Sequence, residues 1–485
     1  MKKVFSLILC LLLGFSFSGC KGKEAVEVKS ADAAIYSENY EITKGMVQYF
    51  FNSQYLAFYN LYGDDFETLG IDTSRPLSEQ ECSIDSTKAS WYDYFMDITK
   101  EKLSDYLIAA EEFLEENPEF IEESEEKVGE FLENLKTTAK KENKDPDDYV
   151  KDTFGASVTK NEIIKVMNLE LAYNAYKSEY TKKFSITDEL LEKHFEQNRK
   201  TLSTVHIIQY NVVQENSSAK SKKAADKKVK ALCDAQSEEE FLELIEEYTE
   251  EECEKAELSS SETEDAIKSV LTDAEQERAS YNGIYEESRW AFDKERKAGD
   301  TAEFEYVNGD AKNRLVIFIV SPAKRDTYKE TSFRNISISV SDFKNESEAE
   351  EKAEELLNEL QSSNGSAAKF EKLAKEFSSD ELTKKNGGLY ENVHLGFLSE
   401  DMKIVEDWIF ETGRREGDME IIENGETFHI LYIESQGREG WKIQAENSYL
   451  EKSYSKNLNS LSDNYVITIN SNLIYSIDEV DLSEK

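Results

Sequence analysis

The stretch FEKLAKEFSSDE, residues 370–381, decides the fold, because the chain has already used nearly the same pattern in FLELIEEYTEEE, residues 241–252. Phe241, Leu244, Ile245 and Tyr248 correspond to Phe370, Leu373, Ala374 and Phe377, and both sets recur at the spacing of one buried helix face. Upstream of each helix lies an apolar strand, VHIIQYNVV (205–213) or RNISISV (334–340). His206 to Phe241 and Asn335 to Phe370 are both intervals of 35 residues. A lysine-rich helix fills the gap in the first copy and a glutamate-rich helix in the second. Downstream, AFDKERKAGD (291–300) matches IFETGRREGD (409–418), each Phe being followed seven residues on by Gly-Asp. Each copy then closes with an apolar strand, RLVIFIV (314–320) or FHILYI (428–433). Register held across several separate landmarks means a tandem repeat of one strand–helix–strand unit.

The remainder reads differently. Residues 35–200 carry helical patterns: Val128, Phe131, Leu132 and Leu135 share one face, and Asn117-Pro118 and Asp145-Pro146 read as N-caps with proline opening the helix. Thr187-Asp188 caps a further helix, on which His194 sits among charges as a solvated residue. After the second copy, residues 441–485 give a helix and then a strand, YVITI, expected to return and complete the N-terminal helical module.

A chain of 485 residues exceeds one core, and its 25 Tyr and 25 Phe suffice to build several. The formal charge of −43 repels nucleic acid and anionic headgroups. The first twenty residues, MKKVFSLILCLLLGFSFSGC, read as an export signal. Phe17-Ser18-Gly19-Cys20 resembles a lipobox, which implies cleavage before Cys20 and lipid on its thiol. Beyond it, Cys82, Cys233 and Cys253 are odd in number, so at least one is unpaired. Cys233 and Cys253 could bridge. Four scattered histidines make no metal cluster, and no cofactor is indicated.

In the second copy the helix FEKLAKEFSSD, the pair Gly387-Gly388, the loop HLGF (394–397), Met402, the Phe410-to-Gly417-Asp418 turn and FHILYI together resemble the parvulin-type peptidyl-prolyl cis–trans isomerases. The resemblance covers 331–437 strongly and 203–325 weakly. With the helical region and the lipobox, the whole looks like the PrsA foldase lipoproteins, and the tandem units resemble SurA. Parvulins hold two histidines beneath the catalytic floor, near a Cys or Asp. On that resemblance His429 takes the closing position, Asp380 the Cys/Asp position, and Asn335 stands where the opening histidine belongs. Met402, Leu395, Phe397 and Phe410 are then the substrate-binding residues around the proline. The GG-D-LG motif is split by Leu389–Val393, and Val405 or Glu406 replaces an expected phenylalanine. In the first copy His206 takes the opening position, Glu251 the place of Asp380, and Leu315 or Val316 the closing one. The glycine loop is absent there.

The expected organisation is α+β: signal peptide 1–19, tether 20–34, helical chaperone-like domain 35–200, degenerate parvulin-like unit 201–326, parvulin-like unit 327–440, and a C-terminal segment 441–485 packing on the helical domain. The expected function is an extracytoplasmic, lipid-anchored foldase acting on unfolded exported polypeptides. A non-catalytic chaperone or scaffold whose parvulin units only bind is the alternative.

Overall fold

β1 (Ala33–Tyr36) and β2 (Glu41–Thr43) form a small antiparallel ribbon. The structure, a computed structural model, describes residues 29–117, 120, 125–308, 311–362 and 367–482. The export signal, Cys20 and Pro118 lie outside the described residues. Helices Lys44–Tyr62, Trp91–Leu114, Pro146–Phe154 and Lys160–Thr181 follow, each started by a side chain that accepts an otherwise unpaired first-turn N–H: Thr43, Ser90, Asp145 and Thr159. Their shared core is aromatic, with Phe51, Trp91, Phe95 and Tyr149 almost wholly buried.

The chain's end completes this module. The C-terminal helix Gly440–Leu461 buries Tyr454 against Tyr173, whose carbonyl accepts its hydroxyl at 3.1 Å. The short strand Thr468–Ile469 pairs with β1. Asn52, fully buried, donates to Phe154 O and Asp478 O and accepts from Val480 N, so one amide ties both ends of the chain together. Strand structure within YVITI is confined to Thr468–Ile469.

Two four-stranded antiparallel sheets are inserted between these ends. The first contains β3 (Thr204–Gln214), β4 (Glu275–Ser280), β5 (Thr301–Asn308) and β6 (Ala311–Lys324), in the order β4-β3-β6-β5. The second contains β7 (Lys329–Ser339), β8 (Leu389–Val393), β9 (Met419–Glu423) and β10 (Thr427–Glu439), in the matching order β8-β7-β10-β9. One face of each carries two helices. Ile208 and Phe318 pack on Val229 and Phe241 in the first, and Ile336 and Ile430 on Leu356 and Phe370 in the second. The Gly-Asp turns superpose bond for bond. Gly299 N donates to Ile319 O and Ile319 N to Asp300 O; Gly417 N donates to Ile433 O and Ile433 N to Asp418 O.

That turn corrects the sequence register. Ile319 is the counterpart of Ile433, so four residues back Leu315, not Val316, is the counterpart of His429. Leu315 pairs with Asn211 and Ile317 with Gln209, whereas His429 pairs with Ser337 and Leu431 with Asn335. Gln209, and not His206, therefore matches Asn335. The equal intervals misled because the structural counterparts stand 32 residues before the helix in the first copy, Gln209 to Phe241, and 35 in the second, Asn335 to Phe370, so the connection between strand and helix differs by three residues. His206 instead bonds Glu275 at 2.9 Å. His194 also departs from expectation: it is buried against the C-terminal helix, 3.1 Å from Ser448 Oγ, and desolvation lowers its pKa. Among the described residues, Cys82, Cys233 and Cys253 form no disulfide.

Candidate active site

The second sheet presents its open face through alternate residues of β7 and β10. Ile336 and Ile338, with Phe428 and Ile430, point to the two-helix side. Asn335 and Ser337, with His429 and Leu431, therefore point to the other, where Phe333, Val405, Trp408, Leu431 and Ile433 form a second core. Alternation puts the amide and the imidazole on one face, and the strand register makes them diagonal neighbours across the pair.

The contact is buried and close. Asn335 Nδ2 lies 3.2 Å from His429 Nδ1 and donates to Ser337 Oγ at 3.0 Å; Ser337 Oγ is 3.4 Å from the same ring nitrogen. Asn335 is fully buried and His429 nearly so. Burial lowers the His429 pKa, with Asp380 and Asp401 opposing the shift, so the ring is neutral at physiological pH. On the other side of the ring, Asn424 Nδ2 lies 3.5 Å from His429 Nε2. Asn335 Oδ1 has no hydrogen-bond partner among the described residues.

Asp380 sits at the end of helix Ala367–Phe377 and is heavily engaged. Oδ1 accepts from Leu382 N at 3.0 Å, and Oδ2 accepts from the hydroxyls of Thr383 and, at 3.0 Å, Tyr390. It makes no direct bond to His429 among the described residues. Gly387 and Gly388 both have positive φ, 67° and 73°. At Gly388 a Cβ would stand 2.2 Å from Asn335 O, and Asn335 N donates to Gly388 O at 2.8 Å. The glycine pair thus lets the loop lie directly against the Asn335 backbone.

The five residues that split the glycine motif, Leu389–Val393, form β8 and pair with Thr331–Arg334 of β7. Met402 and Phe410 flank helix Lys403–Phe410 and are partly buried against the Leu431–Ile433 core. Leu395 is half-buried, and Phe397 is 55% exposed. Sequence reasoning missed what fixes their loop. Glu406, buried on the helix, accepts from Gly396 N at 2.8 Å and Leu398 N at 3.4 Å. The available signal was an acidic pair, Glu406-Asp407, set between the apolar residues Ile404-Val405 and Trp408-Ile409-Phe410. Ser337, Tyr390 and Ser378, which receives Ser337 N, were also missed, since nothing in their spacing marks them.

Residues 319–437 match the family model of the PPIC-type PPIASE domain. The chain carries a peptidyl-prolyl isomerase domain. No curated protein matches the chain. Among solved structures, it is similar to the peptidylprolyl isomerase PrsA from Bacillus anthracis, at 12% identity and TM-score 0.19, over 61% of this chain and 96% of that one. It is also similar to PrsA from Bacillus cereus, at 13% identity and TM-score 0.19, over 63% and 88%. The foldase protein PrsA from Lactococcus lactis matches at 12% identity and TM-score 0.22, over 73% and 97%. The assignment of the PPIase domain rests on the family model. Among the described residues, no group of three or more His, Cys, Asp or Glu is placed to hold a metal ion.

Proposed function

We propose that this chain is a membrane-anchored foldase of exported proteins, in which the PPIase domain isomerises X–Pro bonds at the face around His429 and the helical domain holds non-native clients. The observation that carries the reading is the buried Asn335–His429 pair, 3.2 Å apart within the matched domain and on the same sheet face as Leu431, whose apolar cluster Met402 and Phe410 join. The amide barrier of ~18–20 kcal/mol comes from resonance, which a twisted bond has lost. An apolar cup of Met402, Phe410, Leu395 and Phe397 would desolvate the bond and favour the twisted form, with no covalent intermediate. A neutral imidazole and an amide supply polarity there without a charge to solvate.

Asp380 favours the second reading, a unit that only binds polypeptide, because both its oxygens are already taken by Leu382, Thr383 and Tyr390. An isomerisation assay on the full chain decides between the two. Uncatalysed exchange takes tens of seconds, so weak catalysis is measurable. Met402→Ala and Phe410→Ala should each lower kcat/KM about tenfold by opening the cup, and Asp380→Ala should lower it less. Asn335→His, compared per folded molecule because a ring in a full site costs ~1–3 kcal/mol, should raise it. Wild type and all four variants at the uncatalysed rate would leave the unit a binding module.

No helix among the described residues is long and apolar enough to cross a membrane. A surface of net charge −43 also holds the body off anionic headgroups. On the proposed reading the anchor is lipid on Cys20. Metabolic labelling with a fatty-acid analogue should mark wild type and be lost in Cys20→Ala; label persisting in the variant would end that reading.

A further inference from the structure

The first sheet unit has Leu315 and Gln209 where the PPIase domain has His429 and Asn335, so it holds no matching pair. It nevertheless reaches the second site through one aromatic residue, Tyr328, in the link between β6 and β7. Arg278 on β4 places its guanidinium 5.3 Å from the centre of the Tyr328 ring and lies 3.8 Å from the buried Asp326 carboxylate. The ring meets Phe410 edge-on with centroids 5.1 Å apart, and the hydroxyl faces the Leu395 backbone. The backbone here is fixed by the start of the C-terminal helix: Gly440 N donates to Tyr328 O at 2.8 Å and Trp441 N to Asp326 O at 2.9 Å. Gly440 lets the ring lie against the backbone, since a Cβ there would stand 2.4 Å from the Tyr328 ring and push it aside.

We propose that the first sheet unit serves as a positioning element for the PPIase domain, Arg278 setting Tyr328 and Tyr328 setting Phe410 and the loop Leu395–Phe397. The inference rests on the reading of those residues as the proline-facing wall. The loop has little packing of its own, for Gly396 has φ 82° and Phe397 is half exposed. Glu406 holds it from one side and Tyr328 from the other. A cation over the ring restrains the tyrosine, and a wall ordered in advance lowers the entropy cost of binding substrate. Its effect belongs in KM more than in kcat.

Hydrogen exchange of the full chain, with kcat and KM measured on the same samples, tests this. Arg278→Ala should speed exchange of the 394–398 amides about fivefold, the size of one lost hydrogen bond, and raise KM with kcat little changed. Protection of β7 and β10 should stay intact. Tyr328→Phe should speed exchange at Leu395 chiefly, and Arg278→Lys, which keeps a cation over the ring, should restore most of the wild-type behaviour. Unchanged exchange at 394–398 in both Arg278→Ala and Tyr328→Phe overturns the proposal whatever the activity. Faster exchange in a chain whose wild type shows no isomerisation supports the positioning role and overturns the isomerase reading instead.

Discussion

At the scale of the residue, His429 is governed by burial. The folded domain holds its imidazole in a site where charge is poorly solvated, so its pKa lies below the free value. Below about pH 6.5 the unfolded chain takes up a proton that the folded one refuses. Stability contributed at this site is therefore complete at neutral pH and falls as pH drops through that value. Denaturant unfolding of the PPIase domain should show an acid loss between pH 7.5 and 5.5 that His429→Gln reduces. A profile identical in wild type and variant would mean that the ring protonates freely while folded. His194 shows the limit of reading single residues. Its neighbours on the helix are charged, yet its own face meets Ser448 and Tyr449 from a segment some 250 residues away, and no local pattern records that.

At the scale of the element, the turns carry the register. Gly388 and Gly417 both have positive φ, 73° and 94°, but their surroundings differ. A Cβ at Gly417 would meet nothing within 4 Å, while at Gly388 it would overlap the Asn335 carbonyl at 2.2 Å. Gly417→Ala should cost only the backbone strain, ~1–2 kcal/mol. Gly388→Ala should cost about 3 kcal/mol or more, with overlap added to strain, and should displace Asn335 and so lower isomerisation in the folded fraction. Equal losses in the two variants, by thermal or denaturant melting, would show that the loop does not bear on β7 as described. The helices and turns of the repeat were legible because their marks are local: apolar residues at helical spacing, and Gly-Asp after Phe. The β3 register was not, because the connection from strand to helix is three residues shorter in the first copy, and neither helix spacing nor interval length marks where residues are missing. The count from Phe241 therefore put His206 opposite Asn335, while the Gly299–Ile319 bonds put Gln209 there.

At the scale of the whole molecule, the helical domain should answer to pH in the opposite sense to His429. Glu170 is pushed up to about 7 by burial, against the opposing Tyr106 hydroxyl and Lys102. Its folded form keeps a proton that the unfolded chain releases near 4.5, so its contribution is full below that value and is lost as pH rises through about 7. Asp105, which shares the neighbouring Lys102 with it and is raised to about 6 by burial, acts in the same direction. Limited proteolysis at pH 8.5 should open the helical domain first. Glu170→Gln should flatten that alkaline loss, and a variant as alkali-sensitive as wild type would remove Glu170 as its source. By itself the sequence determined the repeat, the helical module, the return of the chain end and the placing of His429 on a closing strand. Each rests on periodicity or on the chemistry of neighbouring residues. Tertiary structure alone decided that Asn335 and His429 meet at 3.2 Å, that Asp380 spends its oxygens on Leu382, Thr383 and Tyr390, and that Arg278 reaches Tyr328. Those contacts join residues from different strands and helices, and their distances follow from how strands pair and sheets pack rather than from any spacing along the chain.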